Sequence, residues 1–329
     1  MKNKKIAFIG SGSWGTALGN ILSKNYDVIL FSRNIITCDE INLKNTNSNY
    51  LPGLQLSKKL KATTDLNKLK DIEVFFITVP TQEIRNILSH ILQFIKPDST
   101  LVLCSKGIEM NSKKLPLEIA LTQSEKFSIA ILSGPTFASE VARDLPSAFV
   151  IASESKDTSK QISTLFENTN LRPYLSTDTF GVQIGGALKN IIAIAAGIVE
   201  GLELGDNARA SIITRGLNEI IKIGEVLGAD SKTFYGLSGI GDLLLTCSSK
   251  KSRNFLFGYN IGKGHNPSKL MQNINTTAEG VFTVPVTIEI AKEKNMELPI
   301  ISSINDIIYN SKSVEATINN LLLRPIKFE

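Results

Sequence analysis

Cysteine is scarce in this chain. Only Cys38, Cys104 and Cys247 occur among 329 residues, far apart and with no C-x-x-C pair. That spacing excludes a disulfide framework and a thiolate zinc site, and it points to a reducing compartment. Histidine is scarcer, with His90 on a helical pattern and His265 in a loop with Gly and Pro. Neither lies near the polar motifs described below, so proton transfer is not expected to rest on an imidazole. No uninterrupted apolar run reaches membrane-spanning length. The best candidate, 181–202, carries Gln183, Lys189, Asn190 and Glu200. Its apolar part falls short of the roughly 20 residues a bilayer requires, and a buried core helix is expected instead. A dense basic stripe is also missing. The 36 basic and 31 acidic residues are spread along the chain, and the one tight cluster, Lys2-Lys4-Lys5, precedes the first apolar run. A nucleic-acid partner is therefore not expected, whereas a small anionic ligand suits the balance of +5. No signal peptide is read at the polar start, and a cytosolic protein without membrane insertion is expected.

What is present is a glycine turn in a telling place. Ile6-Ala7-Phe8-Ile9 reads as a buried parallel strand, broken by Gly10-Ser11-Gly12-Ser13-Trp14-Gly15. Small and apolar residues then recur at helical spacing through Ala17, Leu18, Ile21 and Leu22. Gly10 permits the tight turn, Gly12 lets a pyrophosphate approach the backbone, and Gly15 lets the helix lie close on the sheet. Amides at the helix start then face the diphosphate. A G-x-G-x-x-G set between a strand and a helix is a dinucleotide fingerprint.

Strand patterns continue at 28–31, 74–79, 101–104, 129–132, 148–152 and 171–175, with helical segments between them. This alternation predicts a Rossmann-type, mostly parallel, doubly wound sheet over residues 1–178. Ligands in such sheets sit at the carboxyl ends of strands, where Pro80, Lys106 and Gly134-Pro135-Thr136 fall. After the second strand an NAD-binding sheet is expected to carry an Asp or Glu. Here Ser32-Arg33-Asn34 stands in its place, and Arg33 can pair with a 2′-phosphate, so NADP(H) is the expected preference, with NAD(H) accepted. From about residue 179 to 329 long helical periods dominate, and an all-helical second domain is predicted, making the class α/β plus all-α.

Two polar features stand out in the helical half. Gly185-Gly186-Ala187-Leu188-Lys189-Asn190 puts a lysine in an apolar helix, where lost hydration would lower its pKa and fit it for proton transfer. The two glycines allow a backbone or a ligand to approach. Further on, glycines bracket Asp242 in Gly236 to Ser249, and Ser252-Arg253-Asn254 follows. That triplet supplies neutral and charged donors suited to a phosphate monoester, while Asp242 could orient a lysine or accept a bond from a substrate hydroxyl.

Taken together, GSGSWGTAL at the start, N-x-x-Y-L-P-G at 47–53, SKGIE at 105–109, SGPTFASE at 133–140, GGALKN at 185–190 and GLSGIGDLLLTCSSKKSRN at 236–254 resemble bacterial NAD(P)-dependent glycerol-3-phosphate dehydrogenases. The resemblance spans nearly the whole chain in order. It implies that Gly10, Gly12, Ser13, Trp14, Gly15, Arg33 and Tyr50 line the cofactor, with Lys106, Ala138, Arg253, Thr277 and Glu279 also touching it. It implies that Lys106, Gly134, Thr136, Lys189, Asp242, Ser252, Arg253 and Asn254 hold a triose phosphate, Lys189 being the general acid/base. The family commonly has an apolar residue where Thr277 stands, so that contact survives best if it uses the backbone. The resemblance further implies a product destined for phospholipids, and a homodimer. Two other readings stay open from the residues themselves. One is a hydroxy-acid dehydrogenase of the same architecture, which would not need the Ser-Arg-Asn triplet; the other is a nicotinamide-binding redox sensor without turnover.

Overall fold

The first strand sits between two neighbours from different parts of the chain. In the computed structural model, which describes residues 4–272 and 278–325, β1 (Lys5–Ile9) pairs in parallel with β2 (Asp27–Phe31) and β4 (Val74–Ile77). The full order is β3-β2-β1-β4-β5-β6-β7-β8, with β3 at Lys61–Thr63, β5 at Thr100–Leu103, β6 at Ser128–Ser133, β7 at Ser147–Ala152 and β8 at Leu171–Ser176. All neighbours are parallel except β6 and β7. The connection from β6 to β7 holds only the short helix Ala138–Val141, and the chain returns antiparallel. The sequence pattern had no strand at β3. Lys-Ala-Thr has no apolar run; it pairs with β2, and the Asn42 amide exchanges two 2.9 Å bonds with the Ala62 backbone.

Contacts divide the chain into two compact units, Met1–Lys106 with Lys114–Gln183, and Gly107–Lys113 with Ile184–Glu329. In the first, β1, β4 and β5 are almost wholly buried, as strands covered on both faces must be. Phe8 stacks on Phe76 with ring centroids 4.6 Å apart, and Phe166 meets both Phe76 and Phe149 edge-on. These rings anchor the sheet beneath the glycine turn.

The second unit is helical. Its helices include Thr179–Gly201, which begins in the first unit, then Gly205–Val226, Asp242–Cys247, Arg253–Gly262, Glu279–Glu293 and Pro299–Tyr309. The helix Thr179–Gly201 is long and apolar enough to cross a membrane by length and composition, but it is buried inside the protein. A spine of glycine explains how tightly it packs. A methyl at Gly197 would lie 2.1 Å from the Phe255 carbonyl oxygen, and one at Gly258 2.0 Å from that of Ile194. A methyl at Gly201 would lie 2.4 Å from the Tyr259 oxygen and one at Gly262 2.5 Å from that of Ile198, with each glycine's Cα 2.9 Å from the other's added methyl. Backbone touches backbone along this seam, so Arg253–Gly262 lies directly on the helix that carries Lys189.

Candidate active site

In the first unit the glycine turn is built as the fingerprint requires. Gly10 has φ +114°, a conformation that L side chains rarely adopt, and its amide donates to the Phe31 carbonyl at 3.0 Å. A Cβ at Gly15 would stand 2.2 Å from the Gly10 oxygen, so the helix Ser13–Leu22 can approach the turn only with glycine there. Gly12 differs: nothing lies within 4 Å of where its Cβ would be. The helix begins with no side-chain cap and no acidic residue in its first turn. Open space before uncapped amides is what a diphosphate requires, and these residues fit a dinucleotide.

Partners that sequence reasoning missed hold this turn in shape. Thr78, just past β4, donates to the Ile9 and Gly10 carbonyls, both at 3.0 Å. Asn47 is completely buried and donates to the Ser11 carbonyl at 2.9 Å and to Thr16 Oγ1 at 2.8 Å. Ser13 Oγ in turn donates to the Tyr50 carbonyl at 2.9 Å. The N-x-x-Y-L-P-G segment is thus strapped to the turn at its asparagine and its tyrosine. The asparagine was visible in the sequence, but only tertiary structure shows what it grips. Trp14 and Ala138 pack partly buried against the sheet core, and Tyr50 and Arg33 are exposed.

At the carboxyl ends of β5 and β6, Lys106, Gly134 and Thr136 come together. Lys106 Nζ donates to the Gly134 carbonyl at 3.0 Å and Thr136 Oγ1 does so at 3.4 Å. Gly134 has φ +151°, and a Cβ on it would lie 2.7 Å from the Phe149 Cα. Only glycine can occupy that corner.

In the second unit Lys189 is buried and donates to Asp242 Oδ1 and, at 2.8 Å, to Thr246 Oγ1. Sequence placed this lysine among Ile, Ala and Gly; the structure adds a carboxylate that is itself 1% exposed. This contact is of the kind that could orient the lysine, the first of the two uses open to Asp242. Thr246 donates on to the Asp242 carbonyl at 2.6 Å, closing the cluster. It lies four residues after Asp242 on one helical face, a spacing that could have flagged it. The glycine-rich stretch before Asp242 forms a wide π-type turn in which Gly239 has non-helical angles, and the turn presents Asp242 as the first residue of its helix. Gly185 admits this segment, since a methyl there would meet the Ser238 oxygen at 2.5 Å. Cys247 lies beside the pair, and burial pushes its thiol well above the usual range, so it remains protonated.

Two side chains of the Ser-Arg-Asn triplet also make hydrogen bonds within the fold. Ser252 Oγ accepts the Phe255 amide at 3.2 Å and caps Arg253–Gly262. Asn254 is turned inward to Asn190 and Gly280. Arg253 is exposed as the first residue of that helix. Glu279 opens the helix Glu279–Glu293 and is half-buried. Thr277 lies outside the described residues.

A doubly wound sheet with an open glycine turn at the head of its first helix is the architecture of Rossmann-type oxidoreductases. The family model described as NAD-dependent glycerol-3-phosphate dehydrogenase N-terminus matches residues 5–159, and its C-terminus counterpart matches residues 178–319. A glycerol-3-phosphate dehydrogenase (NAD(P)+) from Erythrobacter litoralis is 42% identical over 326 residues, which is 99% of this chain and 98% of that protein. One from Zymomonas mobilis is 42% identical, covering 98% of this chain and 94% of its own. The crystal structure of glycerol-3-phosphate dehydrogenase from Coxiella burnetii is similar with a TM-score of 0.93 at 34% identity, over 98% of this chain and 99% of that one. The chain belongs to the NAD-dependent glycerol-3-phosphate dehydrogenase family.

Proposed function

We propose that this chain reversibly reduces dihydroxyacetone phosphate to sn-glycerol 3-phosphate, with Lys189 as the general acid/base and NADP(H) preferred over NAD(H). The observation that carries the catalytic assignment is the burial of the Lys189 ammonium against Asp242 and Thr246. A lysine buried and held by two partners is positioned, which suits delivery of a proton to one atom.

When bound, the nicotinamide supplies or takes up the hydride at C2. Lys189 gives its proton to the C2 oxygen as the carbonyl becomes an alcohol, and takes it back in the reverse direction. Asp242 orients that amine and Thr246 fixes its approach. In the first unit, Gly10, Gly12, Ser13, Trp14 and Gly15 hold the dinucleotide, together with Tyr50. Lys106 provides positive charge for the developing alkoxide, with Gly134 and Thr136 beside it. In the second unit, Arg253 and the amides at the head of Arg253–Gly262 receive the phosphate. Ser252 and Asn254 join them as phosphate donors while also shaping that helix end, since a hydroxyl that accepts the Phe255 amide keeps its own proton to donate and the Asn254 amide has a second N–H. Support for NADP(H) is the absence of a carboxylate after β2 and the presence of Arg33. The product is the glycerol phosphate unit on which phospholipids are built.

Initial rates with dihydroxyacetone phosphate and each reduced cofactor test this reading. Oxidation of cofactor that depends on the triose phosphate, with the higher kcat/KM for NADPH, is expected. Preference for a 2-keto acid in a substrate panel, or no turnover at all, would overturn it.

A further inference from the structure

The carboxylate missing after β2 is supplied by the fold from another place. Glu83 ends the single turn Thr81–Glu83 that follows β4, and β4 and β2 are the two sheet neighbours of β1. The segments leaving those strands flank the glycine turn. There Glu83 Oε2 lies 3.4 Å from Arg33 Nη1, with the two side chains 41% and 75% exposed. Glu83 stands at the head of the helix Ile84–Ile91 but makes no side-chain cap to it, so its carboxylate is not committed to holding that helix.

We propose that Glu83 is a specificity-determining residue, competing with a cofactor 2′-phosphate for Arg33 and so keeping the site open to NADH. This inference rests on the dehydrogenase reading and on Arg33 as its adenosine-side contact. A phosphate monoester carries nearly two negative charges and prefers two parallel guanidinium bonds. To obtain them beside Arg33 it must displace the Glu83 carboxylate or sit next to it, and like charges a few ångströms apart repel. An unphosphorylated ribose meets neither penalty. Because both side chains are exposed, the coupling is modest and screened by salt. Glu83 therefore biases the choice of cofactor and does not exclude either form.

Trp14 is the single tryptophan in the chain and belongs to the glycine turn, so quenching of its fluorescence reads nucleotide binding without turnover. With Glu83→Gln, the ratio of the NADH Kd to the NADPH Kd should rise roughly two- to fivefold at low ionic strength, the change lying in NADPH. The shift should shrink at high salt and largely vanish when Arg33→Ala is already present. The ratio of kcat/KM values should move the same way. An unchanged ratio in Glu83→Gln, or a shift that is as large without Arg33, would overturn the proposal. If the unaltered chain binds both nucleotides and reduces dihydroxyacetone phosphate while Glu83→Gln changes nothing, only the role of Glu83 fails. If it does neither, the functional reading falls and takes this inference with it.

Discussion

Asn254 reaches Asn190 through a side-chain amide bond of 2.9 Å, and its remaining amide oxygen accepts the Gly280 N–H at 3.0 Å. Asn190 follows Lys189 and Gly280 follows Glu279, so one amide fastens three of the segments that carry chemistry. Both asparagines are buried. Asn254→Ala takes the acceptor away from the Gly280 amide and should cost about 1–3 kcal/mol in denaturant unfolding, the usual range for a buried group stripped of its partner. A cost near zero would show that the amide network holds nothing.

The glycine turn offers an internal control. Gly15→Ala forces a methyl to within 2.2 Å of the Gly10 oxygen and 2.5 Å of Thr78 Oγ1, so both melting temperature and cofactor affinity should fall. At Gly12 the same methyl enters open space. Gly12→Ala should melt like the unaltered chain yet lose about tenfold or more in NADPH affinity by Trp14 quenching. Retained affinity would argue against a diphosphate at that turn.

Lys189 and Asp242 should both be needed for rate, and losing either leaves its partner a buried charge without compensation. Lys189→Ala should lower kcat by about two to four orders of magnitude, as expected for a lost general acid, while NADPH still quenches Trp14. Asp242→Asn keeps the shape but leaves a buried ammonium without its carboxylate. Loss of one partner of such a pair typically costs roughly 3–5 kcal/mol, visible as a large drop in unfolding midpoint along with the lost rate. Near-normal turnover in Lys189→Ala would remove it from the proton-transfer role.

Glu219 makes stability depend on pH. It is buried on Gly205–Val226 and accepts the Ile300 and Ile301 amides at 2.7 and 3.0 Å, closing the head of Pro299–Tyr309. Burial pushes its carboxyl up to about 7, against the pull of those amides and of Lys222 and Arg324. The folded state therefore binds a proton more tightly than the unfolded chain, whose carboxyl titrates near the ordinary 4.5. The resulting stability is fully present below about pH 4.5 and is lost as pH rises through about 7, a change of the order of 3 kcal/mol. Glu219→Gln removes that slope. The stability of the unaltered chain relative to Glu219→Gln should be greater at pH 4.5 than at pH 8, and parallel pH curves would contradict it.

Much of this architecture could be read from the chain. The apolar runs of β1, β2 and β4 announce themselves, whereas three-residue β3 has no such run and is bonded by Asn42 from elsewhere. Lys189 was legible as a lone cation in an apolar helix. Its pairing partner lies 53 residues away, and proximity across such a gap is decided by tertiary packing. The same holds for Thr78, Asn47 and Glu83, polar residues of ordinary appearance whose importance comes from what the fold sets beside them. Ser252 and Asn254 show the opposite limit: residue type foretold hydrogen bonding, but not that the fold would also draw on it.

Engineers seeking heat resistance often trade helical glycines for alanine, because a chain with fewer unfolded conformations gains stability at little risk. Along the seam of Gly197, Gly201, Gly258 and Gly262 that recipe would backfire, since each added methyl lands on the main chain of the opposing helix. Any program of hardening this protein must look to its loops and outer surface, leaving those four positions bare.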